Sequence, residues 1–393
     1  MCGITGYLQR TPAIDENSMR VLVDDMASTL THRGPDASGS WVNPQSGIAL
    51  AHRRLSIQDL SEAGAQPMAS VDGRYVLSYN GEIYNFPALS RELQSLGHHF
   101  RGHSDTEVML AAITQWGIDA ALRRFQGMFA FALWDSRDQS LVLARDRVGK
   151  KPLYYGWCAQ TFLFGSELKA LRAHPDFNTT IDHDALALFI QHAWVPGPRS
   201  IFKHIDKLPA GHWLRISAGG DQQMQCYWSA AEAALTGQND PFSGTLDQAT
   251  DTLEELLHDA VRTRMVADVG LGALLSGGYD STTITALMQH NSATPVDTFT
   301  IGFADERYDE SSYARDIAQH LGSNHTEQLV SPQDALDISA GLPGMTAEPF
   351  ADASQIPPYI VSRRARSQVT VALSGDGGDE LFAGYGRYRR PGR

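Results

Sequence analysis

Residues 274–281 have the sequence Leu-Leu-Ser-Gly-Gly-Tyr-Asp-Ser, which ends an apolar run and begins a segment of helical spacing. The pair Gly277 and Gly278 lets backbone amides approach an anion closely, and the N-terminus of a following helix favours negative charge. The stretch therefore predicts a strand, a phosphate-binding loop and a helix. It lacks the lysine of the Gly-x-x-x-x-Gly-Lys-Ser/Thr loop, and an ordinary glycine-rich turn is the alternative.

A second glycine-rich stretch, Ser-Gly-Asp-Gly-Gly-Asp-Glu at residues 374–380, also follows an apolar run. Periodicity in this half of the chain predicts strands at 269–275, 297–303 and 368–373 and helices at 246–265, 281–289 and 311–321. Such alternation is typical of a doubly wound parallel α/β sheet, which binds ligands at the edge where its strands end. The two loops together predict a site for a nucleotide with Mg²⁺, against the alternative of a solvated acidic turn.

Upstream, the chain predicts strands and turns with interleaved helices. Alternating apolar residues predict two hairpins, 128–134 with 140–144 and 153–157 with 161–164, and helical spacing predicts helices at 19–30 and 105–116. Residues 218–245 carry turn residues and little periodicity. We therefore expect a first domain at 2–217, a linker at 218–245 and a second domain at 246–393.

The chain begins Met1-Cys2-Gly3-Ile4. If Met1 is removed, Cys2 carries both a thiol and a free α-amine. The amine has a reference pKa of about 7.7–8.0 and can accept the thiol proton near neutral pH. This pattern predicts an N-terminal nucleophile, and the alternative is a small buried residue near a terminus.

Composition excludes several classes of function. Lys and Arg total 32 against 45 Asp and Glu, a net charge of −13, which argues against a broad nucleic-acid surface. Cys2, Cys158 and Cys226 have neither disulfide-framework nor metal-site spacing. The sequence predicts neither a signal peptide nor a membrane span. We expect a cytoplasmic protein with no nucleic-acid or membrane partner and no tightly bound organic cofactor.

The Ser-Gly-Gly-x-Asp-Ser motif at residues 276–281 resembles the pyrophosphate loop of N-type ATP pyrophosphatases. With Cys2-Gly3-Ile4 at its start, the chain resembles the glutamine-hydrolysing asparagine synthetases from residue 2 to about residue 388. The resemblance implies a class II glutamine amidotransferase domain with the αββα sandwich of Ntn hydrolases, followed by a doubly wound ATP-pyrophosphatase domain. Family members continue with a mostly helical region, so the resemblance implies a second domain that is truncated and incomplete.

In the first domain the resemblance implies glutamine hydrolysis at Cys2. The segment Asn80-Gly81-Glu82 matches the family's oxyanion-hole segment, and an amide side chain with a backbone N–H suits an oxyanion. A free amino acid also needs a cation and an anion to bind its two charged ends. The implied glutamine-binding residues are Arg54, Leu55, Ser56, Ile57, Gln58, Asn80, Gly81, Glu82 and Asp105, near the matched loop His32-Arg33-Gly34-Pro35-Asp36.

In the second domain the resemblance implies that ATP and a carboxylate form an acyl-adenylate, which ammonia from the first domain then attacks. The implied ATP-binding residues are Leu274, Ser276, Gly277, Gly278, Asp280, Ser281, Ile301, Ser374 and Gly375. Mg²⁺ would enter as the ATP complex, at Asp280 and Asp379. Asp376 stands at the position of a proposed catalytic base.

Two departures leave alternatives open. Asp376 is one methylene shorter than the family's usual glutamate. The form Ser-Gly-Asp-Gly-Gly-Asp-Glu resembles the branch of the family often found with polysaccharide or secondary-metabolite synthesis, which weakens the case for aspartate as acceptor. The sequence also has no counterpart of a lysine that follows later in family members. The alternatives are therefore a non-aspartate acceptor, glutaminase activity alone, or a nucleotide-binding remnant without turnover. A homodimer is also compatible with the sequence.

Overall fold

The structure is a computed structural model that describes residues 1–12, 14–305, 307 and 309–389. It divides into two compact units. The first comprises Met1–Pro241 and Thr346–Ala351, and the second comprises Phe242–Met345 and the chain from Asp352 onward. The last four residues of the predicted second domain lie outside the described residues.

The first unit contains two six-stranded sheets. Their strands are β1 (Gly3–Gln9), β2 (Ala37–Asn43), β3 (Ile48–Arg54), β4 (Met68–Ala69), β5 (Tyr75–Ile83), β6 (Gly127–Asp135), β7 (Ser140–Arg145), β8 (Tyr154–Cys158), β9 (Thr161–Gly165), β10 (Ile205–Lys207), β11 (His212–Ser217) and β12 (Gln222–Cys226). One sheet has the order β10-β8-β9-β1-β3-β2 and the other the order β12-β11-β7-β6-β5-β4. Neighbouring strands in both are antiparallel, and both predicted hairpins are present.

Helices cover the outer faces of these sheets. They are α1 (Glu16–Ser28), α2 (Phe86–Ser95), α3 (Asp105–Trp116), α4 (Ile118–Arg124), α5 (Leu168–Arg172) and α6 (His183–His192). The helix α7 (Ala230–Asn239) follows β12 and buries none of its residues. One core fills the space between the sheets, with Ile4, Leu50 and Trp134 fully buried. A second core joins one sheet to α2, α3 and α4, and a third joins the other sheet to α1, α5 and α6. These four layers confirm the predicted αββα sandwich.

The second unit has a four-stranded parallel sheet. Its strands are β13 (Leu271–Leu274), β14 (Asp297–Phe303), β15 (Asn324–Val330) and β16 (Val371–Leu373), and its helices are α8 (Leu246–Arg264), α9 (Tyr279–His290), α10 (Ser311–Leu321), α11 (Pro332–Ser339), α12 (Leu342–Met345), α13 (Ile356–Arg366) and α14 (Gly378–Phe382). The strand order is β15-β14-β13-β16. Ala273 packs with residues of α8 and α9, whereas Leu274 packs with α13. Because successive side chains of a strand point to opposite faces, helices cover both faces and the doubly wound prediction is confirmed.

The segment 218–245, expected to be the interdomain linker, contains β12 and α7. β12 pairs with β11 along its whole length, from Cys226 opposite His212 to Gln222 opposite Ile216. Its residues are mostly polar and exposed, so no apolar alternation marks it. Helix α7 begins at a cap in which the Ser229 side chain accepts a hydrogen bond from the Glu232 N–H.

The short segment Thr346–Ala351 packs within the first unit although the sequence placed it in the second domain. Glu348 pairs with Lys207, accepts a hydrogen bond of 2.9 Å from the Ile201 N–H, and accepts one of 3.3 Å from the Tyr154 hydroxyl. These partners are far from Glu348 in the chain, so no local pattern indicates the contact.

Among the described residues, no helix combines the length and apolar character needed to cross a membrane.

We predict that Glu348→Gln destabilises the first unit, because it leaves the Lys207 ammonium beside a neutral partner. The side chains of Glu348 and Lys207 are only 10% and 17% exposed. We expect a loss of about 2 kcal/mol in the free energy of unfolding, less than for a fully buried pair. All seven tryptophans lie in the first unit, so urea unfolding followed by tryptophan fluorescence measures this unit alone.

The matched control is Glu16→Gln, which breaks the exposed pair of Glu16 with Arg20 on α1. It should change the free energy of unfolding by less than about 0.5 kcal/mol. Equal effects of the two substitutions would contradict a stabilising role for Glu348.

Candidate functional site

Cys2 lies immediately before β1, which pairs with β3 so that Gly3 is opposite Arg53. This pairing sets the thiol against the backbone of Leu55, the residue that follows β3. The Cys2 Sγ accepts a hydrogen bond from the Leu55 N–H at 3.4 Å and lies 3.6 Å from the Leu55 carbonyl oxygen, to which it donates. The structure therefore brings Cys2 together with the segment 54–58 that the sequence singled out.

Burial and the neighbouring groups shift the pKa of the Cys2 thiol in opposite directions. Burial raises the pKa of the thiol, while the Leu55 N–H, the chain's amino terminus and the Lys151 ammonium favour the thiolate. Burial also lowers the pKa of the Met1 amine to about 6, assisted by Lys151 and Arg33. An amine with this pKa is largely unprotonated at neutral pH and can accept a proton.

Asn80 lies on β5, which packs against β1. Its side chain is 1% exposed, and neither Nδ2 nor Oδ1 has a hydrogen-bond partner among the described residues. A buried polar group without a partner typically costs about 1–3 kcal/mol. Both polar atoms are therefore available to a group that is not part of the chain.

Gly81, the next residue of β5, pairs with Phe129 of β6. A Cβ atom added at Gly81 would lie 2.2 Å from the Met128 carbonyl oxygen, so the backbone requires glycine here. β5 therefore carries a buried side-chain amide at Asn80, followed directly by a glycine whose backbone is tightly packed against β6.

Asp105 is the first residue of α3, which is capped where the Ser104 side chain accepts a hydrogen bond from the Glu107 N–H. Its buried carboxylate accepts hydrogen bonds from the Tyr79 hydroxyl at 2.7 Å and from the Ile83 N–H at 2.9 Å. Burial raises the pKa of Asp105, and these hydrogen bonds oppose the shift. The contacts tie the start of α3 to β5, the strand that also carries Asn80, Gly81 and Glu82.

Arg54 ends β3 and is 9% exposed. Its guanidinium donates to the carbonyl oxygens of Ser61 at 3.1 Å and Gln58 at 3.3 Å, and to that of Asp59. These bonds organise the loop that follows the 54–58 segment. The binding of a carboxylate by Arg54 stays a prediction.

The rest of the 54–58 segment lies beside the loop 32–36. The Ser56 N–H donates to Asp36 Oδ2 at 2.9 Å, which joins the two stretches. Leu55, Ile57 and Gln58 are half-buried.

Lys151 is a site residue that the sequence reasoning missed. Its side chain is 3% exposed, and burial lowers its pKa to about 8 although Glu82 and Cys2 act to raise it. Its backbone is held on both sides, because its N–H donates to Asp146 at 3.0 Å and its carbonyl accepts from Arg145 at 2.7 Å. Lys151 lies in a polar loop, where a lysine resembles any surface lysine in the sequence.

The predicted phosphate-binding loop joins β13 to α9. Gly277 has a φ of +88°, a left-handed conformation that favours glycine, and the hydroxyls of Ser276 and Ser281 lie 2.9 Å apart. Helix α9 begins without a side-chain cap, so its first N–H groups point into the loop. This arrangement suits an anion.

The second glycine-rich loop follows β16, which is parallel to β13 and adjacent to it. A Cβ added at Gly375 would lie 2.6 Å from the Ser281 nitrogen, and one added at Gly378 would lie 2.3 Å from Asp280 Oδ2. The glycines therefore allow the two loops to pack directly against each other.

The remaining residues assigned to ATP binding lie near this edge or in the loop itself. Leu274 and Ile301 pack together beside Phe299. The Ser374 hydroxyl donates to Asp376 Oδ2 at 2.9 Å. Asp379 lies in the first turn of α14. Among the described residues, no group of three or more His, Cys, Asp or Glu side chains is placed to hold a metal ion. The binding of Mg²⁺ at Asp280 and Asp379 stays a prediction.

Comparison with known proteins identifies both halves. Residues 1–228 match the glutamine amidotransferase domain family, and residues 252–393 match the asparagine synthase family. The "Putative asparagine synthetase (glutamine-hydrolyzing) 2" of Methanocaldococcus jannaschii is 34% identical over 98% of this chain and 76% of the relative. The chain belongs to the glutamine-hydrolysing asparagine synthetase family.

Other members of the family are longer than this chain. Asparagine synthetase (glutamine-hydrolyzing) 1 of Bacillus subtilis is 34% identical over the whole of this chain, which spans 60% of that relative. "Amidase chry2" of Gibberella zeae is 29% identical over 99% of this chain and 60% of the relative.

We predict that Asn80→Leu stabilises the first unit, because it removes two buried polar atoms that have no partner. The expected gain in the free energy of unfolding is about 1 kcal/mol. Urea unfolding followed by tryptophan fluorescence measures it.

Asn85→Leu is the control, since Asn85 donates to the Arg124 carbonyl and accepts from the Gln126 N–H. It should lower the free energy of unfolding by about 1 kcal/mol. If both substitutions destabilise equally, Asn80 has a partner within the chain and the interpretation is wrong.

Proposed function

We propose that the protein hydrolyses glutamine at Cys2 and uses the ammonia to amidate a carboxylate that ATP has activated as an acyl-adenylate. The observation that carries the first half is the buried Asn80 amide, whose polar atoms have no partner among the described residues. Asn80 lies on β5, which packs against β1, the strand that follows Cys2. A buried amide donor without a partner suits an oxyanion hole.

The glutaminase reaction follows from the groups around Cys2. Removal of Met1 would put the α-amine on Cys2 itself, where it takes the thiol proton. The thiolate attacks the amide carbon of glutamine, and Asn80 Nδ2 and the Gly81 N–H stabilise the oxyanion. The amine returns its proton to the leaving nitrogen, which departs as ammonia. Water then hydrolyses the thioester to glutamate.

Recognition of glutamine needs groups of both signs. Asp105 and Glu82 are the anions that would bind the α-ammonium, and Arg54 is the cation that would bind the α-carboxylate. The Tyr79 hydroxyl and the Ile83 N–H donate hydrogen bonds that fix the orientation of the Asp105 carboxylate, which supports this role. The Lys151 ammonium adds positive potential beside the thiolate.

In the second unit, we propose that ATP binds at the carboxyl edge of the parallel sheet. The loop 276–281 would take the pyrophosphate, and Leu274, Ile301, Ser374 and Gly375 would contact the adenosine. Mg²⁺ would arrive with ATP and neutralise charge on the phosphate oxygens, with Asp280 and Asp379 completing its ligands. The direct packing of the two loops supports this arrangement.

Aspartate is the proposed acceptor, since the named relatives are asparagine synthetases. A different carboxylate is the second candidate, because Asp376 is shorter than the usual glutamate and one relative is named an amidase. Glutaminase activity alone is the third, since every residue proposed for glutamine hydrolysis lies in the first unit. The cytoplasmic location and a homodimer stay predictions.

We predict that Cys2→Ala abolishes the formation of glutamate from glutamine, because it removes the proposed nucleophile. Activity with ammonium chloride should persist, because free ammonia bypasses Cys2. Glutamate and pyrophosphate are measured with each nitrogen donor, using protein whose Met1 removal is verified by mass spectrometry. Cys226→Ala, at an exposed cysteine, should keep both activities. Loss of both activities in Cys2→Ala would contradict the two-site proposal.

We predict that Ser276→Ala lowers ATP-dependent pyrophosphate release by about tenfold, because it removes a donor to the phosphates. Glutamine hydrolysis should not change.

Pyrophosphate is measured with aspartate and then with other carboxylates. Release with aspartate supports asparagine synthesis, and release only with another carboxylate supports the second candidate. Glutamate formation without any pyrophosphate would support glutaminase activity alone.

A further inference from the structure

Glu167 lies between β9 and α5, and its carboxylate contacts the side chains of Arg33, Lys169 and His32. His32 Nε2 and Arg33 Nη1 lie 3.0 and 2.8 Å from Oε1, and Lys169 Nζ lies 2.9 Å from Oε2. The Glu167 side chain is only 7% exposed. Burial by itself would raise the pKa of Glu167, but hydrogen bonds from Arg33, Lys169 and His32 outweigh it and leave the pKa below its ordinary value. Glu167 is therefore ionised at neutral pH.

Arg33 connects this cluster to the nucleophile. Its Nη1 donates to Glu167, and its Nε donates to the carbonyl oxygen of Cys2 at 2.9 Å. Only a guanidinium offers two donors in a rigid fork that can bridge these acceptors. The Cα atom of Cys2 carries this carbonyl group, the side chain with the thiol and the nitrogen that becomes the free amine after removal of Met1.

The backbone beside Glu167 reinforces this contact. The Ile4 N–H donates to the Ser166 hydroxyl at 3.1 Å, and the Ser166 N–H donates to the Ile4 carbonyl at 2.9 Å. Ser166 thus holds the backbone of Ile4. Glu167, through Arg33, holds the carbonyl group of Cys2.

We propose that Glu167 is a positioning residue for the Cys2 nucleophile, because it holds Arg33 and Arg33 holds the Cys2 carbonyl. The inference rests on the proposed glutaminase function and deepens it. Glu167 does not contact Arg54 or Asp105 among the described contacts, so it acts on the reacting geometry and not on glutamine binding.

The test is Glu167→Gln, which keeps the side-chain size but removes the charge that holds Arg33. The kcat for glutamine hydrolysis should fall about tenfold to a hundredfold, as expected for a displaced nucleophile. The KM for glutamine should change less than about threefold, because the binding groups are untouched. A rise in KM with kcat unchanged would overturn the proposal.

Asp135→Asn is the matched control for loss of a buried charge. Asp135 is the last residue of β6 and is 3% exposed. Its Oδ1 and Oδ2 accept hydrogen bonds from Arg74 Nε at 3.0 Å and Arg74 Nη2 at 2.7 Å. The substitution should reduce stability without changing kcat by more than about twofold. Equal losses of kcat in the two variants would show that Glu167 is only structural.

A double-mutant cycle with Arg33→Lys tests whether Glu167 acts through Arg33. Lysine keeps the charge but cannot bridge both acceptors, so Arg33→Lys should itself lower kcat with KM retained. Adding Glu167→Gln should then cost less than about twofold more, since coupled residues are not additive. Full additivity would overturn the proposal. If Glu167→Gln does not fold, an unchanged kcat in Arg33→Lys would also overturn it.

Alkylation of Cys2 by iodoacetamide separates failure of this inference from failure of the proposed function. It requires no glutamine and is followed by mass spectrometry of the N-terminal peptide. A wild-type protein that forms no glutamate would refute the glutaminase function. Even then, Glu167→Gln should change the rate of Cys2 alkylation by about threefold or more, because that rate follows the thiolate fraction and the exposure of the sulfur, while Asp135→Asn should not change it. Equal alkylation in all three proteins would refute the positioning role.

Discussion

The position of β1 between β3 and β9 is the constraint on which the first unit depends. Gly6 makes this close packing feasible, since a Cβ there would lie 2.2 Å from the Ala49 carbonyl oxygen. Pairing with β3 brings Leu55 to the Cys2 thiol, and pairing with β9 delivers Glu167 to the cluster that holds the Cys2 carbonyl. One central strand therefore positions the nucleophile from both sides.

In the second unit, parallel strand pairing likewise brings together residues that are distant in the chain. β13 and β16 are distant in the chain but adjacent in the sheet, so their following loops meet at one edge. Glycine at 375 and 378 lets the second loop reach the start of α9 without collision. In both units, backbone pairing brings together residues that carry the proposed chemistry, and glycines remove the steric obstacles.

Buried polar groups distinguish the candidate site from the surrounding structure. Asp135 is buried but fully bonded to Arg74, as expected for a structural ion pair. Asn80 is buried without partners, and Lys151 is buried with its pKa lowered to about 8. Such groups reduce stability. Lys151 acts electrostatically on the Cys2 thiol, and Asn80 lies on the strand that packs against β1, as expected for a site organised for a charged transition state.

The sequence by itself determined the elements with clear local periodicity, including α3, β14, α10 and both hairpins, and it located Cys2 and the two glycine-rich loops. It missed β12, because the polar, exposed residues of that strand show no apolar alternation. It also missed α7, because a helix that buries no residue needs no apolar stripe. The contacts of Glu348, Lys151 and Glu167 were decided only by the tertiary structure. A charged residue in a polar loop has the same local pattern whether it is solvated or buried, and only packing against distant strands determines which partners surround it.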